Sequence, residues 1–193
     1  MKKTILLALI LSPFFIFAQT VRPGNQVEPM SRILFLFDGS QSMLGKWQSD
    51  VKMNIAKRMM SNLIDSLKSY DNLQIALRVY GHQKQYPPAD CHDTKLEVPF
   101  ADNNFDLVKN RIESLTPRGT TPLAYALEQA ANDFPPCDNC RNIIILITDG
   151  IEECGGDPCT SSLLLQQNGV VMKPFIIGIG RDFKDAFNCV GTY

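Results

Sequence analysis

Five residues carry oxygen side chains where three separate stretches of this chain run into turns: Asp38, Ser40, Ser42, Thr121 and Asp149. In Asp38-Gly39-Ser40-Gln41-Ser42 the carboxylate and the two hydroxyls fall at alternate positions, so a tight turn aims all three at one point. Hard oxygen donors of this kind suit a hard divalent cation. Thr148-Asp149-Gly150 repeats the carboxylate at the end of a second apolar run, and Arg118-Gly119-Thr120-Thr121-Pro122 sets a threonine hydroxyl beside the expected start of a helix. Each piece alone is ordinary, because Asp, Gly, Ser and Thr are common in turns. The combination of all three, each at a strand end or a loop, is what points to a distributed oxygen site.

The elements that must position these groups are legible as patterns. Ile33 to Phe37 and Ile143 to Ile147 are short continuous apolar runs bounded by turn residues, the signature of strands buried on both faces. Asp38 and Asp149 therefore stand at carboxyl ends of strands, the edge of an open α/β sheet where ligands bind. The pattern predicts strands at 32–37, 73–80, 96–100, 142–148 and 170–179. It predicts helices at 48–69, with Val51, Ile55, Met59, Leu63 and Leu67 at four-residue steps, and at 105–115, 121–134, 161–167 and from 182 to 187. Asn103 or Asn104 is the expected cap of the second helix, Pro122 suits the first turn of the third, and Asn168-Gly169 stops the fourth. Strands alternating with helices predict an α/β fold with a doubly wound, mostly parallel central sheet and helices on both faces.

The chain has 193 residues, 45% of them hydrophobic and 20% charged, enough for one domain with a sizeable core. Its formal net charge of -1 points to no polyanion, so no nucleic-acid partner is expected. Residues 1–18 read as a removed signal peptide: Lys2 and Lys3 lead an apolar stretch from Thr4 to Phe17, broken by Pro13, with Ala18 as the last residue before cleavage. That stretch is shorter than the roughly 18 residues of a spanning helix, and no transmembrane segment is expected after cleavage. Removing Lys2 and Lys3 takes the formal net charge from -1 to -3. Residues 19–31 read as a linker and 32–193 as the domain. Six cysteines, an even number, fit export to an oxidising compartment: periplasm, cell surface or medium. Cys137-Asp138-Asn139-Cys140 precedes a strand rather than opening a helix, which argues against a redox pair, and no second such motif completes a zinc site.

Other polar residues have plainer readings. Glu152, Glu153 and Asp157 follow Asp149 and are expected to form a solvated rim. His82, Asp90, His92 and Asp93 lie on a proline-containing loop and read as surface residues rather than a second metal site. Trp47 is a partner-binding aromatic or a lid over the first helix. Asn104, Lys109 and Arg111 read as a solvated helix face.

With these residues in view, the chain from about residue 31 onward resembles the von Willebrand factor type A domain family, and looks most like its exported bacterial members. The DxSxS of the family's metal-ion-dependent adhesion site is matched by Asp38, Ser40 and Ser42, its threonine by Thr121 with Thr120 as the neighbouring alternative, and its later aspartate by Asp149. Arg78-Val79-Tyr80-Gly81-His82 and Ile177-Gly178-Ile179-Gly180 are similar to runs in the same bacterial members. The resemblance implies that the two serines and the threonine bind a divalent cation directly. The cation is expected to be Mg²⁺, with Mn²⁺ or Ca²⁺ as alternatives, and the aspartates act largely through hydrogen bonds or water. It implies a protein partner that presents an Asp or Glu to the cation. Val190 to Tyr193 reads as the start of a last strand with no closing helix after it, so the C-terminal edge of the sheet is expected to be incomplete.

In the topology of this family Cys137 and Cys140 lie at the amino edge of the sheet. Cys91, Cys154, Cys159 and Cys189 lie at its carboxyl edge. The two groups then stand farther apart than the roughly 7 Å a disulfide spans between Cα atoms. Cys137 is expected to pair with Cys140, and the other four among themselves in one of three ways, with Cys154–Cys159 and Cys91–Cys189 preferred. Two rival functions remain. One is a structural subunit of an envelope assembly with a purely structural metal. The other is a Mg²⁺-dependent, phosphatase-like hydrolase, since an apolar strand before Asp-Gly-Ser also resembles aspartate-nucleophile phosphatases. Those need a second Asp where Ser40 stands, and neither Gly-x-Ser-x-Gly nor His-Glu-x-x-His occurs, so no enzymatic activity is expected.

Overall fold

A computed structural model describes residues 28–167, 175–180 and 184–190. The expected signal peptide at 1–18, residues 19–27 of the expected linker, the stretch 168–174 and the last three residues lie outside the described residues. In chain order the strands are β1 (Met30–Asp38), β2 (Lys46–Trp47), β3 (Asp50–Val51), β4 (Leu73–Tyr80), β5 (Thr94–Ala101), β6 (Cys140–Thr148) and β7 (Phe175–Gly178). The helices are α1 (Lys52–Leu67), α2 (Phe105–Glu113), α3 (Leu123–Ala131), α4 (Pro158–Gln167) and α5 (Lys184–Phe187).

Five strands form one sheet in the order β5-β4-β1-β6-β7. β1 pairs in parallel with β4 and β6, and β6 in parallel with β7, whereas β5 runs antiparallel to β4. β1 is central and buried on both faces, which is why its sequence is an unbroken apolar run. Its side chains alternate between two cores. Ile33, Phe35 and Phe37 meet α1 and α2 residues such as Met60, Ile64, Val108 and Ile112, and Leu34 and Leu36 meet Leu123, Leu127 and Leu165 of α3 and α4. The chain is thus an α/β protein with a mostly parallel sheet covered on both faces, as expected.

Several expectations are corrected in detail. The antiparallel β5 is longer than expected, carries Pro99 and closes the sheet on one side. Residues 48–51 are not helical. Lys46–Trp47 and Asp50–Val51 make a two-stranded ribbon that turns at Gln48 with φ 54°, and α1 starts only at Lys52. Trp47 is half-buried and packs against the core on the α1 side. α4 begins at Pro158, three residues early, because Asp157 accepts hydrogen bonds from the Cys159 N–H (3.0 Å) and the Thr160 hydroxyl (2.6 Å) as an N-cap.

The disulfides partition as expected but do not pair as preferred. Cys137 bonds Cys140, while the other four form Cys91–Cys154 and Cys159–Cys189. The loop after β4 faces the loop after β6, so Cys91 and Cys154 meet with Cα atoms 5.5 Å apart. Cys159 sits in the first turn of α4 and meets Cys189 just after α5. Among the described residues no helix is long and apolar enough to cross a membrane.

Candidate metal centre

Three loops meet at the carboxyl edge of the sheet and are locked by backbone bonds. The Gly39 N–H donates to Tyr80 O (2.8 Å), Arg118 N–H to Gly39 O (3.0 Å), Gln41 N–H to Gly119 O (2.8 Å) and Gly119 N–H to Gly81 O (2.8 Å). Gly81 adopts φ +66°, and a Cβ there would stand 2.3 Å from Thr120 O, so only glycine lets the threonine loop approach this closely.

Asp38 ends β1 fully buried. Its Oδ1 accepts the Ser40 N–H at 2.8 Å, and its Oδ2 accepts the Thr148 hydroxyl at 2.9 Å and the Asp149 N–H at 3.4 Å. Ser40 Oγ and Ser42 Oγ are 2.8 Å apart, and Ser42 donates to Asp149 Oδ1 at 2.6 Å. With the Ser42 proton committed to Asp149, Ser40 is the donor of the pair, and a chain runs Ser40 to Ser42 to Asp149. Asp149 Oδ2 meets the Lys52 ammonium at 2.6 Å, and the Asp149 side chain is wholly buried. Burial, and after it the charge of Asp149, raises the Asp38 carboxyl above its ordinary value, against hydrogen bonds from Ser40 and Thr148 that lower it.

Thr121 contributes the feature that stands out. Its Oγ1 is buried and has no hydrogen-bond partner, although buried polar groups are nearly always paired. A methyl group added at Gly150 would lie 3.8 Å from Thr121 Oγ1 and 3.9 Å from Ser42 Oγ, so both hydroxyls flank one region of space. The neighbouring Thr120 hydroxyl is engaged elsewhere, donating to Glu153 at 3.0 Å. Glu153 also accepts the Thr121 N–H at 3.2 Å, and Glu152 accepts the N–H groups of Ala124 (2.7 Å) and Cys154 (2.6 Å). The expected rim is present, with Glu153 and Asp157 exposed and Glu152 half-buried, but it is also tied down: Glu152 caps α3, Glu153 holds the threonine loop, and Asp157 caps α4.

An open cleft of about 470 Å³ leads from Ser42 past Gln41, Gly119 and Thr120 to walls formed by Tyr86, Ala89 and Glu153. The Cys91–Cys154 disulfide joins the two loops that carry those walls. Among the described residues no group of three or more His, Cys, Asp or Glu is arranged to hold a metal. The donor set at the sheet edge fits a hard cation differently, through hydroxyls with one of them unpaired.

Of the residues expected at the surface, His92 is exposed and Asp90 half-buried, whereas His82, Asp93 and Asn104 are buried. His82 is buried and meets Glu97 Oε1 at 2.8 Å, while Glu97 Oε2 takes the Arg111 guanidinium at 2.8 Å. Asp93 is buried and accepts the Gln83 N–H at 2.9 Å and the Lys84 N–H at 3.0 Å. His92 packs edge-on against Tyr125, and Asp90 accepts the His92 N–H at 2.9 Å. Asn104 is buried and donates to Ile75 O (2.8 Å) and Pro99 O (3.0 Å) rather than lining a solvated face, and Lys109 pairs with Asp65 on the surface. Sequence reasoning missed the roles of Lys52 and Thr148 at the edge. Thr148 had a signal, a hydroxyl closing an otherwise apolar strand; Lys52 had none, since its partner is distant in sequence.

The von Willebrand factor type A domain pattern matches residues 33–191. This chain belongs to that family. It is 33% identical over 159 residues to the uncharacterized protein YwmD of Bacillus subtilis, covering 80% of this chain and 70% of that protein. To YwmC of the same organism it is 27% identical, over 84% of this chain and 71% of that one. Among solved structures it shares its fold with an aerotolerance-related membrane protein of Bacteroides fragilis (TM-score 0.62, 22% identity, 77% of this chain and 67% of that one). It shares it also with proximal thread matrix protein 1 of the mussel byssus, solved with a zinc-occupied MIDAS motif (TM-score 0.62, 21% identity, 86% and 40%).

Proposed function

We propose that this type A domain is an exported, non-enzymatic interaction module that holds a divalent cation at Asp38, Ser40, Ser42, Thr121 and Asp149 and receives a carboxylate from a protein partner. The observation that carries the reading is the unpaired, buried Thr121 hydroxyl facing the same space as Ser42. Leaving such a group without a partner costs about 1–3 kcal/mol, which a cation at this point relieves. The zinc-occupied motif of the mussel protein supports the reading by analogy of fold. Mg²⁺ is the proposed ion, with Mn²⁺ and Ca²⁺ as alternatives. When bound, the cation supplies a positive point that an Asp or Glu side chain of a partner can complete.

The chain's own groups do the rest. Asp38 holds the Ser40 backbone and, through Thr148, the end of β6, so the first motif keeps its shape without the ion. Asp149 accepts the Ser42 O–H and thereby fixes the orientation of that hydroxyl, leaving a Ser42 lone pair for the cation. Glu153 fixes the Thr121 backbone. The cleft beyond Ser42 gives a partner segment room to approach. The expected leader and the three disulfides are consistent with work outside the cytoplasm.

The test is capture of partners from the envelope of the source organism on immobilised domain. Capture that chelator abolishes, Mg²⁺ or Mn²⁺ restores and Thr121→Ala severely weakens supports the reading. Capture indifferent to chelator and to Thr121→Ala moves the function off this site, toward a structural subunit. Metal-dependent phosphate-ester hydrolysis that Ser40→Ala abolishes would make the protein an enzyme.

A further inference from the structure

Lys52 opens α1, where a positive side chain is the wrong choice for the helix dipole, and the first turn holds no acidic residue to compensate it. Its side chain nevertheless runs inward along two glycines. A Cβ at Gly180 would stand 2.9 Å from Lys52 Cε, and one at Gly45 would stand 3.5 Å from the same atom. Gly180 also adopts φ +91°, so no other residue suits that spot. The side chain is 16% exposed and ends on a wholly buried carboxylate, Asp149 Oδ2, at 2.6 Å. A local conflict of this kind, ending on a buried ion pair at the site, points to a functional position.

We propose that Lys52 is a positioning residue that holds Asp149 off a bound cation and so makes the site a receiver of anionic groups. The inference rests on the metal reading above. Both oxygens of Asp149 are already taken, Oδ1 by the Ser42 hydroxyl and Oδ2 by the Lys52 ammonium. The carboxylate that would otherwise satisfy the cation directly is neutralised in place, and the groups left facing the ion are the hydroxyls of Ser40, Ser42 and Thr121. The buried charges are Asp38, Asp149 and Lys52, which together carry one negative charge against the two positive charges of the ion. The excess positive charge calls for one anionic group from outside. Without Lys52 the two aspartates alone balance the ion, and no external carboxylate is required. Lys52 thus exchanges metal affinity for affinity toward a carboxylate.

The experiment uses Mn²⁺ as the probe, followed by electron paramagnetic resonance on the full domain, with acetate as the simplest carboxylate. Lys52→Met removes the charge, and Lys52→Gln removes it while keeping a donor for the buried Asp149 should the methionine variant fail to fold. The expected result is Mn²⁺ binding about tenfold tighter in the variant, equivalent to about 1.4 kcal/mol, together with loss of the acetate-dependent gain in Mn²⁺ affinity seen in the wild type. A merely structural lysine gives the opposite, weaker Mn²⁺ binding. Folded Lys52→Gln protein that binds Mn²⁺ as the wild type does, or more weakly, overturns the inference and leaves the metal reading standing. A wild type that binds no Mn²⁺ overturns the metal reading itself, and this inference with it.

Discussion

Two clusters around buried carboxylates in this molecule are built to opposite specifications. At Glu97 the carboxylate is saturated: His82, Arg111 and Lys95 all reach it, the first two at 2.8 Å. Burial pushes the Glu97 carboxyl up, but the hydrogen bonds from Arg111, His82 and Lys95 outweigh it and hold it at about 2. At Asp38 the balance is reversed. Burial and the charge of Asp149 win over the hydrogen bonds, the carboxyl is raised, and the nearby Thr121 hydroxyl has no partner. One cluster is finished by the chain's own cations. The other carries more negative charge than Lys52 can cancel and a hydroxyl more than its neighbours can use. A protein can leave such a deficit in place where something from outside completes it.

The largest expected effect concerns the staple that joins the loops bearing these clusters, since His82 and Cys91 share the loop after β4 while Asp149 and Cys154 share the loop after β6. Replacing Cys91 and Cys154 by Ala removes a cross-link between residues 63 apart in sequence. It should cost about 4 kcal/mol of stability in denaturant unfolding. Mg²⁺ binding should weaken as well, because the same loop carries Glu153. Unchanged stability would mean that the loops hold themselves.

Next in size is the metal's own contribution. A ligand at a hundredfold excess over its Kd adds about 2.7 kcal/mol to the native state. Asp38→Ala should abolish that gain in a thermal-shift titration with Mg²⁺ while leaving the metal-free protein folded, since it removes a buried carboxylate already disfavoured by its surroundings. Equal Mg²⁺ stabilisation of the variant and the wild type would erase the contrast between the clusters.

The finished cluster should respond the other way. Glu97→Ala strips His82 and Arg111 of their partner and should cost about 2 kcal/mol, with no change in the increment that Mg²⁺ provides. An altered Mg²⁺ response would show that the two clusters are one system.

The smallest effect is in the pH profile. Because the folded-state value of Glu97 is depressed to about 2 from an ordinary 4.5, its contribution is fully present above about pH 4.5 and is lost as the pH falls toward 2. Glu97→Gln should flatten that part of the stability–pH curve. An unchanged curve would place the acid sensitivity elsewhere.

The contrast between the clusters also marks what the sequence could and could not reveal. β1 and β6 were legible because a strand buried on both faces must be continuously apolar, and the carboxylates closing each run fell at the sheet edge for the same reason. Spacing brought Asp38, Ser40 and Ser42 to one turn. The direction of β5 was not legible, since alternation looks the same in parallel and antiparallel strands. The start of α1 was misplaced because Val51 fits the helical period while closing a ribbon. His82, Asn104 and Arg111 looked like surface residues because their partners, Glu97 and the backbone of Ile75 and Pro99, are brought in by β5 and its neighbour. The cysteine partition followed from topology, but the pairing depended on which loops face each other. Lys52 is the furthest such case: its partner, Asp149, lies on the far side of the chain and its position contradicts local helix chemistry.

The central claim is that Thr121 Oγ1 is unpaired because it awaits a cation. The most direct measurement is calorimetric titration of Mg²⁺ into the wild type and Thr121→Ala, with unfolding curves of both in chelator. The account predicts one Mg²⁺ bound by the wild type, binding weakened about tenfold or more in Thr121→Ala, which corresponds to at least about 1.4 kcal/mol, and metal-free stability of the variant equal to or above that of the wild type. Equal Mg²⁺ affinity in the two proteins would contradict it.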